Sequence, residues 1–324
     1  MNRRIDMFLV AVMILMLCSC GKPENEELYE GTCTLTEVVA GKSEKITERY
    51  AIDDEALKIN AEVEIPMVEI KQGELAEKAF NAERFSDIIC PDVNLQKSDD
   101  SSDSTVYTGG DDYADLNYNK RVEVWKNSGN RRYDDYQLDD YFRGNYIEKR
   151  KDEMSNDEKE FVDQMSNQTQ DILNQLGIQV QIMAEKLYED NDKRYCWVFS
   201  DTLLDAHRLV DANEGDFFRC NVAIADKGIN SIEIEGLYEI DNEENVKIIS
   251  LEQMLAIVKK GVSERNINVY EEPVTNIALV YMLKEISGKI QFFPVWCLSG
   301  AIFEEYEKPF ICIDARNGAL VYMR

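Results

Sequence analysis

One imidazole and eight thiols are the side chains of this sequence best suited to nucleophilic chemistry: His207, and Cys18, Cys20, Cys33, Cys90, Cys196, Cys220, Cys297 and Cys312. A Ser-His-Asp or Cys-His device needs a base beside its nucleophile and a third group that orients the base. His207 stands in Leu204-Asp205-Ala206-His207-Arg208-Leu209 with no Gly-x-Ser-x-Gly nearby, and reads as a surface-loop histidine. Any mechanism needing two imidazoles is excluded. The 63 acidic residues make carboxylate pairs of the glycosidase kind unavoidable, and therefore uninformative. Cys-x-x-Cys, P-loop and Gly-x-Gly-x-x-Gly spacings are all missing, so zinc, thioredoxin-like and nucleotide chemistry have no support. The run Ser98-Asp99-Asp100-Ser101-Ser102-Asp103-Ser104, with Gly109-Gly110-Asp111-Asp112 after it, lacks the Gly and Glu positions of a calcium loop. It reads as solvated loop. No catalytic residue, metal ligand or cofactor is assigned.

The chemistry that the spacing does define lies at the N-terminus. Arg3 and Arg4 precede an unbroken apolar run from Met7 to Leu17, then small Ser19, Cys20 and Gly21. This is the layout of a secretory signal peptide over residues 1–19, too short and wrongly flanked for a spanning helix. Leu17-Cys18-Ser19-Cys20 resembles the lipobox of bacterial lipoproteins, which implies cleavage before Cys20 and attachment of lipid, palmitate among its acyl chains, to that thiol. Cys18 fits worse, because it would put bulky Leu17 at the cleavage position. The resemblance implies a protein held to the cell membrane on its extracytoplasmic face. Several acyl chains anchor stably where one binds marginally.

Charge agrees with a lipid rather than a basic patch as the anchor. The chain carries a formal −27, and the signal residues Arg3, Arg4 and Asp6 contribute +1 of it, so the mature protein stands near −28. Such a field repels nucleic acid phosphates and anionic headgroups, and nucleic acid is rejected as a partner. With Cys18 and Cys20 set aside, six thiols remain in sparse, mostly apolar, strand-like surroundings. There Cys behaves as a small buried hydrophobe, and buried thiols are expected in preference to bridges.

The positioning elements follow from periodicity. Residues 20–31 read as a polar tether. Residues 32–150 read as a β-rich region, with strands at Cys33-Thr34-Leu35-Thr36-Glu37-Val38 and at Ile59 to Ile65, the latter alternating at period two up to Pro66. A helix is expected from Gly73 to Ile89, an acidic loop over 96–120, a strand at Arg121 to Trp125, and a Tyr- and Asp-rich stretch over 133–146. Tyrosines between 107 and 146 are the candidates for sugar stacking.

From Ser155 the chain runs one pattern twice, over 155–245 and 249–324. A helix from Ser155 to Leu176 ends at Gly177, and strands follow at 180–187, 195–199 and 218–234. Ser250 and Gln253 make a capping box for a second helix, with strands at 276–283, 292–298 and 310–322 after it. Phe-x-Cys ahead of an Asp- and Gly-bearing turn recurs, with Cys220 and Cys312 lying 92 residues apart. Asn317-Gly318 predicts a two-residue hairpin, and Asp314 a structural acceptor in the turn.

Ser250-Leu251-Glu252-Gln253-Met254, Pro294-Val295-Trp296 and Ile313-Asp314-Ala315-Arg316-Asn317-Gly318-Ala319-Leu320 resemble the PepSY domain. The pair of units resembles the Yyc-type regulators of Gram-positive sensor kinases. The first unit departs from the ending, with Ala225-Asp226-Lys227-Gly228 in its place. The likeness covers residues 155–324, about half of the chain. With the elements read above, the expected fold is α+β: a β-rich N-terminal region, then two PepSY-like units of a helix on an antiparallel sheet, with Phe293, Trp296, Ile311 and Ile313 in the core. What the resemblance implies is a non-enzymatic binding or regulatory role through an envelope protein or peptide. The alternatives are an envelope enzyme, or a carbohydrate-binding lipoprotein, acting on cell-wall or polysaccharide material.

Overall fold

The computed structural model describes residues 31–40, 45–78, 82–89, 96–100, 104–109, 112–117, 121–125, 147–190, 193–225, 228–303 and 306–324. The segment read as a signal, Cys20, the segment read as a tether up to residue 30, Cys90 and residues 126–146 lie outside the described residues. Among the described residues no helix is long and apolar enough to cross a membrane.

Eighteen strands and four helices make up the described chain. The first part holds α1 (Leu35–Ala40), β1 (Lys45–Ile52), β2 (Glu55–Glu64), β3 (Lys71–Glu77) and α2 (Ala82–Ile89). Next come β4 (Gln96–Asp100), β5 (Ser104–Gly109), β6 (Asp112–Asn117), β7 (Arg121–Trp125) and β8 (Ile147–Arg150). Then α3 (Asn156–Gln175) leads into β9 (Gln179–Asp190), β10 (Lys193–Leu204), β11 (His207–Asp211), β12 (Arg219–Ala225), β13 (Gly228–Glu235) and β14 (Tyr238–Asn245). The chain closes with α4 (Leu251–Ser263), β15 (Val274–Ile286), β16 (Lys289–Phe303), β17 (Tyr306–Asp314) and β18 (Leu320–Met323).

The expected α+β class is corrected: the chain is β-rich and its sheet is mixed. An antiparallel run joins β8, β9, β10, β12, β13, β7, β6, β5 and β4 in that order. A second run joins β1, β2, β15, β16, β17 and β18, and within it β2 lies parallel to β15. The hairpin of β10 and β11 links the two, because β11 leaves β10 and pairs parallel with β15. Two self-contained units do not form, since N-terminal strands are threaded into both runs: β7 onto β13, β2 onto β15, and β3 onto β14 and β16.

Each long helix seats an apolar stripe on a sheet face. Val162, Met165 and Leu173 of α3 pack with Leu187, Cys196, Val198, Cys220 and Val222. Leu251, Met254 and Val258 of α4 pack with Leu57, Ile59, Ile277, Leu279, Trp296, Ile311 and Ile313. The opposite face of β15 to β17 is covered too, with Ala278, Val280, Val295, Cys297 and Cys312 packing against Val210 and Phe217. Burial on both faces explains the near-continuous apolar runs of these strands. Phe293, Trp296, Ile311 and Ile313 are core, as read from the sequence, and the Trp296 indole N–H donates to the Ile249 carbonyl at 3.2 Å.

Both helix starts are capped. Ser155 with Glu158 and Ser250 with Gln253 each form a reciprocal capping box, and Gly177 takes φ 70° just past α3. Ser250→Ala is expected to lower stability by about 1 kcal/mol. Urea unfolding checks this, and an unchanged midpoint would mean that the cap contributes nothing.

Several local expectations fail for identifiable reasons. Residues 35–40 form a helix instead of a strand, because the Glu37 carboxylate accepts from both the Thr34 backbone N–H (2.6 Å) and its hydroxyl (2.9 Å). Residues 71–77 form strand β3, and among the described residues of the expected helix 82–89 are helical. Gly73 lets the two backbones approach: a Cβ there would sit 2.0 Å from the Asn242 carbonyl oxygen. The expected acidic loop contains strands β4, β5 and β6, whose polar residues are held by a ladder that runs through β7 to β13. Arg121–Trp125 is a strand, as read, and pairs with β6 and β13. The last hairpin spans Ala315–Gly318 instead of two residues, with Gly318 alone at positive φ (80°), while Asp314 accepts from the Arg316 backbone N–H at 2.9 Å. That structural role for Asp314 agrees with the sequence reading.

Candidate functional site: a cleft where two strands share one edge

Strand β2 follows the edge of β15 as far as the Glu64–Ala278 pair, and β11 takes over that edge from the Leu209–Tyr281 pair. Leu279 and Val280, between them, have no register partner on this edge. Pro66 helps to end β2, since a proline has no N–H for the ladder. Where the two strands part, a cleft of about 400 Å³ opens, lined by Val63, Glu64, Ile65, Pro66, Gln181, Ala206, Arg208 and Ala278 to Val280. Crevices at points where neighbouring strands diverge are common ligand sites in open sheets with parallel strands. The volume is within the range of small-ligand pockets. Met67, next to Pro66, is 75% exposed, the largest exposure among the big hydrophobic side chains described.

One wall is a strained turn. Leu204 pairs with His207, leaving Asp205 and Ala206 as a two-residue connection with φ 47° and 64°. Both central residues at positive φ define a type I′ turn, which favours Gly or Asn, so the surrounding structure must hold Ala206 in place. Ion pairs from Lys71 to Asp205 (3.2 Å) and to Glu243 (3.0 Å) tie the turn down.

The floor is a buried charge cluster. Arg208, 3% exposed, donates through Nε to Asp201 at 2.7 Å and through Nη1 to Glu307 at 2.9 Å, and its guanidinium lies 3.6 Å from the Phe217 ring centre. Glu307 also accepts from Asn276 (3.3 Å) and Ser299 (3.3 Å), so one carboxylate connects β11, β15, β16 and β17. Burial drives the Asp201 carboxyl above its ordinary range, and the Arg208 charge only partly offsets that. For Arg208 burial opposes the charge, but Asp201 and Glu307 outweigh it and hold the guanidinium above its ordinary value. Two carboxylates take up the single guanidinium charge, so the cluster fixes the cleft wall rather than presenting a free cation.

His207 is buried, which corrects its reading as a surface-loop residue. Its ring stacks on Tyr281 at 4.1 Å, and Nδ1 lies 2.9 Å from the Asp205 carbonyl oxygen. Burial lowers its pKa to about 4, against the hydrogen bond to Asp205, so the ring is neutral at pH 7. Nε2 has no hydrogen-bond partner among the described residues. Cys196 and Cys220 are not activated either: burial pushes Cys196 up to about 12 and drives Cys220 higher still. No group of three candidate metal ligands occurs among the described residues. The cleft therefore offers apolar walls, the Glu64 carboxylate and the Gln181 amide to a ligand.

The sequence reading missed this site. Its signals were present, in an Arg and an Asp inside apolar strands and a Pro ending an alternating one, but no spacing joins residues 64, 201, 208, 279 and 307. Of the tyrosines proposed for sugar stacking, Tyr107 and Tyr113 lie in β5 and β6. Those of 133–146 fall outside the described residues, as does Cys20.

No family model matches the chain, and no curated protein matches it. Among solved structures the fold is similar to that of an uncharacterized protein from Eubacterium rectale, determined at 1.45 Å. The likeness has a TM-score of 0.55 at 15% identity and covers 89% of this chain and 98% of that one. It extends to the architecture as a whole and, at that identity, to the fold alone.

Proposed function

We propose that this chain is a lipoprotein anchored through Cys20 on the extracytoplasmic face of the membrane, with a non-enzymatic binding or regulatory role toward an envelope protein or peptide. The carrying observation is the cleft between β2, β11 and β15, with the exposed Met67 following Pro66 of its lining in the chain. A flexible thioether beside an apolar cleft suits an adaptable peptide contact. The PepSY-like strings over 250–320 and the signal layout support the same reading. The formal −27 favours neutral or basic segments over acidic ones.

Two measurements test it in cells that produce the full chain. An alkyne-bearing fatty acid should label the protein, and Cys20→Ser should abolish both the label and membrane retention. Label persisting in that variant would refute the anchor. A photoreactive residue at position 67 should crosslink to a discrete protein or peptide, and Gln181→Trp, which fills the cleft, should remove the crosslink. Crosslinks confined to glycan, or indifferent to Gln181→Trp, would turn the reading toward a carbohydrate-binding protein or an envelope enzyme.

A further inference from the structure

Cys297 and Cys312 face each other directly across β16 and β17. Which kind of pair they form follows from the register. Pro294 and Ala315 come opposite each other one step before the Val295–Asp314 pair, and the Ala315 N–H donates to the Pro294 carbonyl at 3.0 Å. Hydrogen-bonded and non-hydrogen-bonded pairs alternate along an antiparallel ladder. Positions 294/315, 296/313 and 298/311 are therefore hydrogen-bonded, and 297/312 is a non-hydrogen-bonded pair. The register shift of this ladder comes later, between Leu298 and Ser299. In such pairs the Cα atoms lie about 4.5 Å apart with both side chains on one face, inside the span that a disulfide bridges.

The other described thiols have no such partner. Cys220 lies opposite Ser200 and Ile234, Cys196 opposite Leu187 and Ile224, and Cys33 opposite Ile248. Cys297 and Cys312 are both fully buried, and each thiol sits within the other's electrostatic reach, which adds to the burial that drives Cys312 far above the ordinary thiol range.

We propose that Cys297 and Cys312 are a covalent modification site, closed as a cross-strand disulfide while the chain folds outside the cytoplasm. The timing follows from the burial: a protonated, inaccessible thiol does not exchange, so the bond forms before β17 is sealed under Val210 and Phe217. The oxidant is a disulfide of small-molecule or protein origin. A cysteine thiolate attacks it, releasing one thiol and leaving a mixed disulfide. The second cysteine then displaces the other half. Two electrons and two protons pass from the pair to the oxidant, whose S–S bond becomes two thiols. The five described cysteines are free in the structure, four of them buried, in agreement with the sequence reading, and the bridge is proposed for this pair alone. Oxidation in the cell rests on the extracytoplasmic reading, whereas the pairing itself rests only on the register.

The test uses the full chain, isolated from membranes under alkylating conditions, and the same chain reduced, unfolded and refolded with oxidised glutathione. Cleavage after Glu304 or Glu305, between the two cysteines, separates their peptides unless the bridge joins them. A 297–312 linked peptide from both samples, unchanged by Cys220→Ser, is the expected result. The bridged protein should also melt on the order of 5 °C above the reduced one. A link in the refolded sample alone would uphold the pairing and overturn the oxidising location. Alkylated thiols at both positions in both samples, or a bridge to any other cysteine, would overturn the proposal.

Discussion

Arg208→Met is expected to destabilise the protein by about 3–5 kcal/mol, the cost of leaving the buried Asp201 carboxylate without its paired guanidinium. Asp201 is 6% exposed and takes its ion pair from Arg208 at 2.5 Å, and Glu307 loses its only charged partner among the described contacts. Burial already raises the Asp201 carboxyl, and without the guanidinium it rises further. A folded-state carboxyl pKa above the unfolded value costs most at neutral pH and less as acid protonates both states, so the defect should shrink between pH 7 and pH 4. Urea unfolding at both pH values measures this. Adding Asp201→Asn to the variant should return part of the loss, which an independent packing defect would not allow. A midpoint shift under about 1 kcal/mol would mean that the cluster is solvated and that the cleft wall is not fixed by it. The crosslink at position 67 should weaken in step with the stability loss.

The second large effect belongs to His207. The unfolded imidazole titrates near 6.5 and the buried one at about 4. Between those values the unfolded chain binds a proton that the native chain does not, so stability falls as pH drops through this window and levels off below it. At about 1.4 kcal/mol per pH unit, acidification from pH 7.5 to pH 5 should remove about 2 kcal/mol through this one ring. The charged neighbours Asp205 and Lys71 act on it in opposite directions, and Tyr281 is its stacking partner. His207→Phe retains a ring to stack and should flatten the slope above pH 5. A slope unchanged in this variant would assign the acid sensitivity to other groups. Glu158, held down to about 2 chiefly by its bond to Lys149 and by the Ser155 N–H, contributes stability that is lost only below pH 4.5, outside the measured range.

Local sequence signals were reliable where a short-range interaction decides the outcome. Ser155 and Ser250 start helices because their hydroxyls accept from the N–H three residues on, and Gly177 stops one because it tolerates positive φ. Asp314 accepts two residues ahead in its turn. Strands β2, β9, β10, β12 and β15 to β17 carry enough apolar or alternating sequence to be read directly. The order of a helix followed by antiparallel strands was equally legible for both α3 and α4.

Long-range pairing decided the rest. Polar segments such as 96–100 and 112–117 have no apolar period to announce a strand, and they become strands because β7 and β13 offer them a ladder. His207 looked exposed because its neighbours are charged. Its burial comes from Tyr281, 74 positions away, and from the type I′ turn that swings β11 onto β15. The cleft arises because β2 and β11, from distant parts of the chain, divide one edge of β15 between them, and the Cys297–Cys312 pairing is a matter of register that depends on where a hairpin turns. The sequence by itself determined the overall acidity, the helix caps and the composition of the core strands, because each is a matter of composition or of neighbours within a few residues. The tertiary structure alone decided the mixed sheet, the buried Arg208 cluster and the cleft, because each rests on contacts between residues that no local spacing connects.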